Sequence, residues 1–180
     1  FYVAENGRPG PVVIDLPKDI LFEKGPYFTL ENKRPCAYKP QLMEDHQQIE
    51  KAVKLLADAE QPIIYGGGGL INSGTRASEL LREFADLTGY PVTLTLMGLG
   101  AFPASNKHFL GMLGMHGTYE ANLAMHQCDV MFNIGARFDD RVTGRIKDFS
   151  PNSTKIHVDI DPSSINKNIL VEVLEIIIPL

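Results

Sequence analysis

An α/β fold, with a parallel sheet and helices on both of its faces, is the class this sequence predicts. Short apolar runs of strand length recur, as in residues 62–65 and 130–134. Continuous rather than alternating apolar runs mark strands buried on both faces. Each run breaks into glycine or charge, and amphipathic stretches of helical period lie between them. Strand, loop and helix therefore repeat at the spacing of a covered parallel sheet.

Composition sets the bounds. The chain has 180 residues, 44% hydrophobic and 22% charged, enough for one domain with a real core and an appendage. A net charge of -5 argues against nucleic acid and against an anionic membrane surface as partners. No apolar run approaches the length of a membrane span. Cys36 and Cys128 lie far apart, outside metal-type spacing, and read as reduced thiols ahead of a disulfide.

Taken in order, residues 1–5 read as the last turn of a helix closed at Asn6-Gly7. Val12-Val13-Ile14-Asp15 reads as a strand stopped by Leu16-Pro17. One strand needs neighbours, so this opening predicts the last α-β unit of a preceding domain. From Lys18 to about Glu44 the chain has prolines, scattered charge and no period, the pattern of a connection.

Asp45 is placed to cap a helix with Ile49, Val53, Leu55, Leu56 and Ala59 on one face. A strand at residues 62–65 follows. Residues 76–87 predict a helix with Leu80, Leu81, Phe84 and Leu87 inward, closed by Gly89. Residues 91–96 read as a strand, residues 118–127 as a helix, and residues 130–134 as the central strand. Residues 155–161 read as a strand ending in acids, with Pro162 starting a short helix. Met97, Met112, Met115, Met125 and Met131 read as core filler.

The chemistry gathers in the loops. Gly66-Gly67-Gly68-Gly69 directly follows a strand, and such a run is entropically costly unless the backbone needs the freedom. Two needs compete: a tight turn, or the approach of a phosphate to bare N–H groups. After the central strand, Gly135 opens a loop with Arg137, Asp139, Asp140 and Arg141, four charges in five residues. An arginine fork suits phosphate, whereas a solvated turn with its own ion pairs is the alternative. Asp159, at a strand end, is placed to bond a ribose hydroxyl. His46, His108, His126 and His157 show no metal-ligand spacing, and His116 reads as a packing or hydrogen-bonding residue. No triad, metal site or catalytic residue is named. Strand ends of a parallel sheet share one edge, so these loops predict one elongated crevice suited to an extended dinucleotide.

Several segments are similar to acetohydroxyacid synthase (acetolactate synthase), a thiamine-diphosphate enzyme family. They are Gly7-Arg8-Pro9-Gly10-Pro11-Val12, Leu16-Pro17-Lys18-Asp19-Ile20, Tyr65 to Gly69, Thr95 to Gly100, Leu113 to Asn122, Gly135 to Gly144, and His157 to Asp161. Leu-Gly-Met-His-Gly-Thr followed by Arg-Phe-Asp-Asp-Arg is the most specific part.

The resemblance implies three α/β domains, the first and third holding thiamine diphosphate and Mg2+. The middle one, Rossmann-like, holds FAD without a redox role in the main reaction. Residues 1–20 would end the pyrimidine-binding domain, 21–44 link, 45–168 form the central FAD-binding domain, and 169–180 form an atypical tail. FAD contacts carry over onto Gly67, Gly68, Thr95, Leu96, Leu113, Gly114, Met115, His116, Gly135, Ala136, Arg137, Phe138, Asp139, Asp159 and Ile160. Asp140 and Arg141 match the active-site entrance. The family's Gly-Asp-Gly magnesium motif does not occur in this chain.

The implied activity is a transferase reaction of branched-chain amino-acid biosynthesis (isoleucine and valine), condensing pyruvate with pyruvate or 2-oxobutyrate. The implied setting is a cytoplasmic homo-oligomer (plastid or mitochondrial in a eukaryote) with a possible regulatory subunit. Rival readings are another thiamine enzyme, such as glyoxylate carboligase or a pyruvate oxidase, and a non-catalytic nucleotide-binding or subunit-interaction module.

Overall fold

The computed structural model describes residues 1–27 and 45–175. The chain divides into two compact units, residues 1–41 and 42–180. Cys36 and most of the expected connection lie outside the described residues, as does the apolar stretch 176–178.

In the first unit, α1 (Tyr2–Glu5) is closed as its sequence predicts. Asn6 Nδ2 donates to the Tyr2 carbonyl at 2.8 Å, and Gly7 takes φ +68°. The strand expected at residues 12–15 does not form. Val13 is 90% and Ile14 77% exposed, and no described neighbour offers these residues a ladder. An apolar run without a pairing partner has no reason to be a strand. A short helix, α2 (Lys18–Phe22), instead follows Pro17.

The second unit is built on six parallel strands: β1 (Pro62–Gly66), β2 (Val92–Leu94), β3 (Phe109–Met112), β4 (Val130–Ile134), β5 (Thr154–Val158) and β6 (Val173–Glu175). Their spatial order is β3-β2-β1-β4-β5-β6, and every pairing is parallel. This is the order of the doubly wound Rossmann sheet. The helices are α3 (His46–Ala57), α4 (Gly68–Asn72), α5 (Thr75–Thr88), α6 (Tyr119–Gln127) and α7 (Asp140–Thr143).

Side-chain alternation along the strands divides the core. Ile63, Tyr65 and Met131 face α6 with Ala121 and Met125, whereas Ile64, Val92 and Leu94 face α5 with Leu81 and Ala85. Leu56 of α3 packs with Val130, Ile156 and Val173. The continuous apolar strands are explained by these two covered faces.

Helix ends follow the sequence closely. Asp45 caps α3 through the Gln47 and Gln48 N–H groups, Thr118 caps α6 through Ala121, and Gly89 closes α5 at φ +76°. The inward faces differ in part. Ile49, Val53, Leu80 and Leu87 are exposed, and the packed positions are Ala52, Leu55 and Leu56 on α3, Ala59 just past its end, and Ala77, Leu81, Phe84 and Ala85 on α5. In both helices alanines complete the i, i+3, i+4 stripe that larger residues off the stripe obscure.

Three further differences have local causes. The strand β3 was not foreseen because Gly111 and Gly114, at φ +93° and +96°, interrupt its apolar run. After Pro162 there is a turn rather than a helix. The Asp161 carboxylate accepts the Ser163 N–H at 3.0 Å, an Asx arrangement that competes with helix. The segment set apart as a tail supplies β6, which pairs with β5 and buries Val173.

At the amino-terminal edge, one carboxylate ties two strands together. Asp129 accepts the Glu60 N–H at 2.6 Å and the Gln61 N–H at 3.0 Å, joining the starts of β1 and β4. Asp129→Ala is expected to destabilise the fold by about 1.5–3 kcal/mol, the scale of hydrogen bonds to a charged acceptor. A urea midpoint equal to wild type would show that these bonds add nothing over water.

Candidate functional site

Strand order reverses between β1 and β4, and in open α/β sheets ligands bind outside the carboxyl ends of the strands at such a point. The loops after these strands, 67–69 and 135–139, meet there backbone to backbone. Gly67 N–H donates to Ile134 O and Gly69 N–H to Gly135 O, both at 2.9 Å. A Cβ on Gly69 would stand 2.6 Å from Gly135 Cα, and one on Gly135 2.7 Å from Gly69 Cα. A Cβ on Gly67 would overlap Gly135 O and Ala136. Gly67, Gly69 and Gly135 are therefore needed by the chain itself, as a seam between two loops. Gly68 is less constrained, its Cβ position lying 3.2 Å from Met97 Cβ.

The loop after β2 is tied to the same seam. Thr95 N–H donates to Gly66 O at 2.9 Å, and Thr95 Oγ1 accepts the Gly98 N–H at 3.1 Å, opening a 3-10 turn. Leu96 and Met97 project outward, 68% and 75% exposed.

After β3, the Leu113 side chain sinks into the core, while Met115 and His116 are exposed. Asn122 on α6 clamps Gly114 from both sides, accepting its N–H at 2.9 Å and donating to its carbonyl at 3.1 Å. Met97 and Met115 thus depart from the expected core-filler role, which Met125 and Met131 do fill.

The charged loop alternates between core and solvent. Ala136 and Phe138 are buried, whereas Arg137 and Asp139 turn outward and pair at 2.9 Å. Asn133 Nδ2 donates to Ala136 O, and Asn168 Nδ2 donates to Phe138 O at 2.6 Å. Asp139 Oδ1 accepts the Asp140 N–H at 3.0 Å, opening α7 with Asp140 and Arg141 exposed. Hydrogen bonding from Asp140, reinforced by the Arg137 charge, holds the Asp139 carboxyl below the usual carboxylate range. After β5, Asp159 Oδ1 accepts the Asp161 N–H at 2.9 Å, and Ile160 is half-buried.

The edge thus collects every sequence-predicted site residue, in the order 113–116, 95–96, 67–68, 135–141 and 159–160 across β3 to β5. Neighbouring strands lie about 4.8 Å apart, so five strand ends span about 19 Å. Leu113, Ala136 and Phe138 offer a ligand only backbone, because their side chains are core. Outward at the edge stand Leu96, Met97, Met115, His116, Arg137 and Asp139: apolar surface, one imidazole, one guanidinium and one carboxylate. The guanidinium and the carboxylate of this set are already paired with each other.

Two cavities flank the sheet, the smaller lined in part by Leu113 and Asn122 of this edge. One of about 410 Å³ is at the amino-terminal edge beside Gln61 and Tyr90, and one of about 170 Å³ lies between α6 and α7. Sequence reading missed the supporting residues Asn122, Asn133, His157 and Asn168. For Asn133 and His157 the available signal was a polar residue inside an apolar strand.

Comparison with known proteins adds a second line. Residues 49–178 match the family model "Thiamine pyrophosphate enzyme, central domain". The chain is 52% identical over 175 residues to the acetolactate synthase large subunit of Buchnera aphidicola subsp. Schizaphis graminum, covering 96% of this chain and 30% of that protein. It is 47% identical to the acetolactate synthase isozyme 3 large subunit of Escherichia coli K12 and 50% identical to the large subunit of Haemophilus influenzae, with the same coverage. The chain spans about 30% of the length of these curated relatives.

The seam makes a specific demand. Gly135→Ala combines a left-handed φ of +63° with a Cβ against Gly69 Cα, and is expected to cost about 2–5 kcal/mol. Gly89→Ala, at a plain left-handed φ of +76° and ψ of 8° with nothing within 4 Å, should cost only about 1–2 kcal/mol. Equal urea midpoints for the two variants would show that backbone strain alone, and not the seam, sets the cost.

Proposed function

Because the chain belongs to the thiamine pyrophosphate enzyme family, as its central domain, we propose that it is the flavin-holding segment of an acetolactate synthase large subunit. The whole protein would condense pyruvate with pyruvate or 2-oxobutyrate in branched-chain amino-acid biosynthesis. It would do so in the cytoplasm or an organelle, as a homo-oligomer able to take a regulatory subunit. No described helix is long and apolar enough to cross a membrane. The observation that carries the flavin reading is the gathering of five strand-end loops at the switch point of a sheet in Rossmann order.

FAD fits the residues present. Exposed Leu96, Met97 and Met115 offer apolar surface to a ring system, and Asp159 offers an acceptor to a hydroxyl. Arg137 pairs through one guanidinium nitrogen with Asp139, as a solvated turn with its own ion pairs would have it, and its remaining donors would serve a diphosphate. Gly68 leaves backbone accessible between them. Asp140 and Arg141, on α7, would border the substrate entrance.

When bound, thiamine diphosphate with Mg2+ supplies the decarboxylation of one 2-oxo acid and the transfer of its two-carbon remainder to a second. The chain carries no Gly-Asp-Gly motif for that diphosphate, so its own residues would bind, orient and shield. On this reading it contributes no catalytic group.

Three outcomes test the proposal. Gly68→Val should weaken FAD retention at least tenfold and cost less in unfolding than a side chain at Gly67, Gly69 or Gly135, because its Cβ position meets Met97 at 3.2 Å and no backbone atom closer than 3.5 Å. Arg137→Ala should chiefly weaken FAD, whereas Arg141→Ala should chiefly lower turnover of the full protein. The chain by itself, given pyruvate, thiamine diphosphate, Mg2+ and FAD, should form no acetolactate. Enzyme-dependent product from it would refute this division of labour.

A further inference from the structure

Beneath the crevice the sheet carries a row of polar side chains that the proposed contacts leave unused. The strand registers place Thr93, Tyr65, Asn133 and His157 side by side on β2, β1, β4 and β5. Directly paired residues of parallel strands project to the same face, and all four are 0% exposed. Thr93 Oγ1 donates to Gly111 O at 3.0 Å, and Asn133 Nδ2 serves Ala136 O. Tyr65 OH, Asn133 Oδ1 and both His157 nitrogens have no hydrogen-bond partner among the described residues.

His157 stands out in this row. Phe138 meets its ring edge-on, with centroids 5.2 Å apart and the planes at 71°. Its Nε2 lies 3.5 Å from Asp159 Oδ2, a separation just beyond a good hydrogen bond. Asp159 is held on its other oxygen by the Asp161 N–H, and its side chain is 10% exposed. The carboxylate therefore lies between a sealed imidazole and the crevice. Such contacts are often long without ligand and tighten when it binds.

We propose that His157 is a positioning residue: its Nε2–H holds Asp159 Oδ2, so that the remaining lone pairs of that carboxylate meet a sugar or ribitol hydroxyl of the dinucleotide. This rests on the flavin reading of the crevice. An ionised carboxylate has about four acceptor sites. Asp161 N–H takes one and His157 would take a second, and the other two have no partner among the described residues. The proton belongs on Nε2 because the facing group is an acceptor.

The test is FAD titration of the full protein carrying this chain, read by flavin fluorescence, beside the unfolding temperature of each apoprotein. His157→Leu should weaken FAD about tenfold without lowering the apoprotein's unfolding temperature, since leucine replaces a buried group lacking a hydrogen bond. Asp159→Ala should weaken FAD similarly, and the double variant no further, as for two residues acting as one unit. His157→Gln, which keeps a donor, should stay within about threefold of wild type. Unchanged FAD affinity in His157→Leu, or additive losses in the double variant, would overturn the positioning role. So would a loss of affinity matched by a lower unfolding temperature that glutamine does not rescue. Wild-type protein that takes up no FAD would instead overturn the flavin reading, and this inference with it.

Discussion

The arrangement depends on one close approach: the backbone of residues 67–69 lying against that of residues 135–136. Two loops can meet at that distance only if the contact is nearly bare of side chains, which Gly67, Gly69 and Gly135 provide, with only the Ala136 methyl beside them. The meeting point is where the strand order turns over, the one place where adjacent strands send their chains to opposite faces of the sheet. Had either loop been bulkier, β1 and β4 would still pair, but the edge above them would open. The glycines thus serve the sheet first, and only through it a ligand.

From that seam the other loops are stitched outward by backbone hydrogen bonds. Thr95 N–H reaches Gly66 O, and Gly135 N–H reaches Val158 O at 2.7 Å, joining the β2 and β5 ends to the centre. Met115 N–H reaches Arg141 O at 3.1 Å, so the β3 loop is tied to α7. Gly114 permits this, since a Cβ there would stand 2.7 Å from the same carbonyl. The edge behaves as one braced strip rather than five independent loops, which suits recognition of a long ligand at several points.

How much of this could be read from sequence follows the physics of each signal. Caps and strand runs were legible because they depend on local chemistry: Asp45, Thr118 and Gly89 act on their own neighbours. The positions of the site loops were legible because strand ends of a parallel sheet must share an edge. What stayed hidden was tertiary. Nothing in the glycine run says that its partner is another glycine about seventy residues on, and residues 12–15 have strand composition although no described strand lies beside them. Met97 and Met115 are indistinguishable in type from the buried Met125 and Met131, and only the fold turns them outward. Leu113, Ala136 and Phe138 lie at the strand-end edge, yet their side chains belong to the core beneath it.

The same layering explains why a polar row persists in an otherwise apolar sheet. A buried polar atom without a partner costs about 1–3 kcal/mol, and the row Tyr65, Asn133 and His157 leaves four such atoms among the described residues. Burial also pushes the Tyr65 phenol well above its ordinary range, so it stays neutral. Leucine or valine at these positions would satisfy the core at no such penalty. What apolar residues cannot do is reach upward and grip a loop, as Asn133 does through Ala136 O and as His157 stands ready to do beside Asp159. Polar groups one residue below the strand ends are as high as a buried side chain can sit while still touching the loops from beneath. Stability surrendered in the sheet thereby becomes order in the loops at its edge.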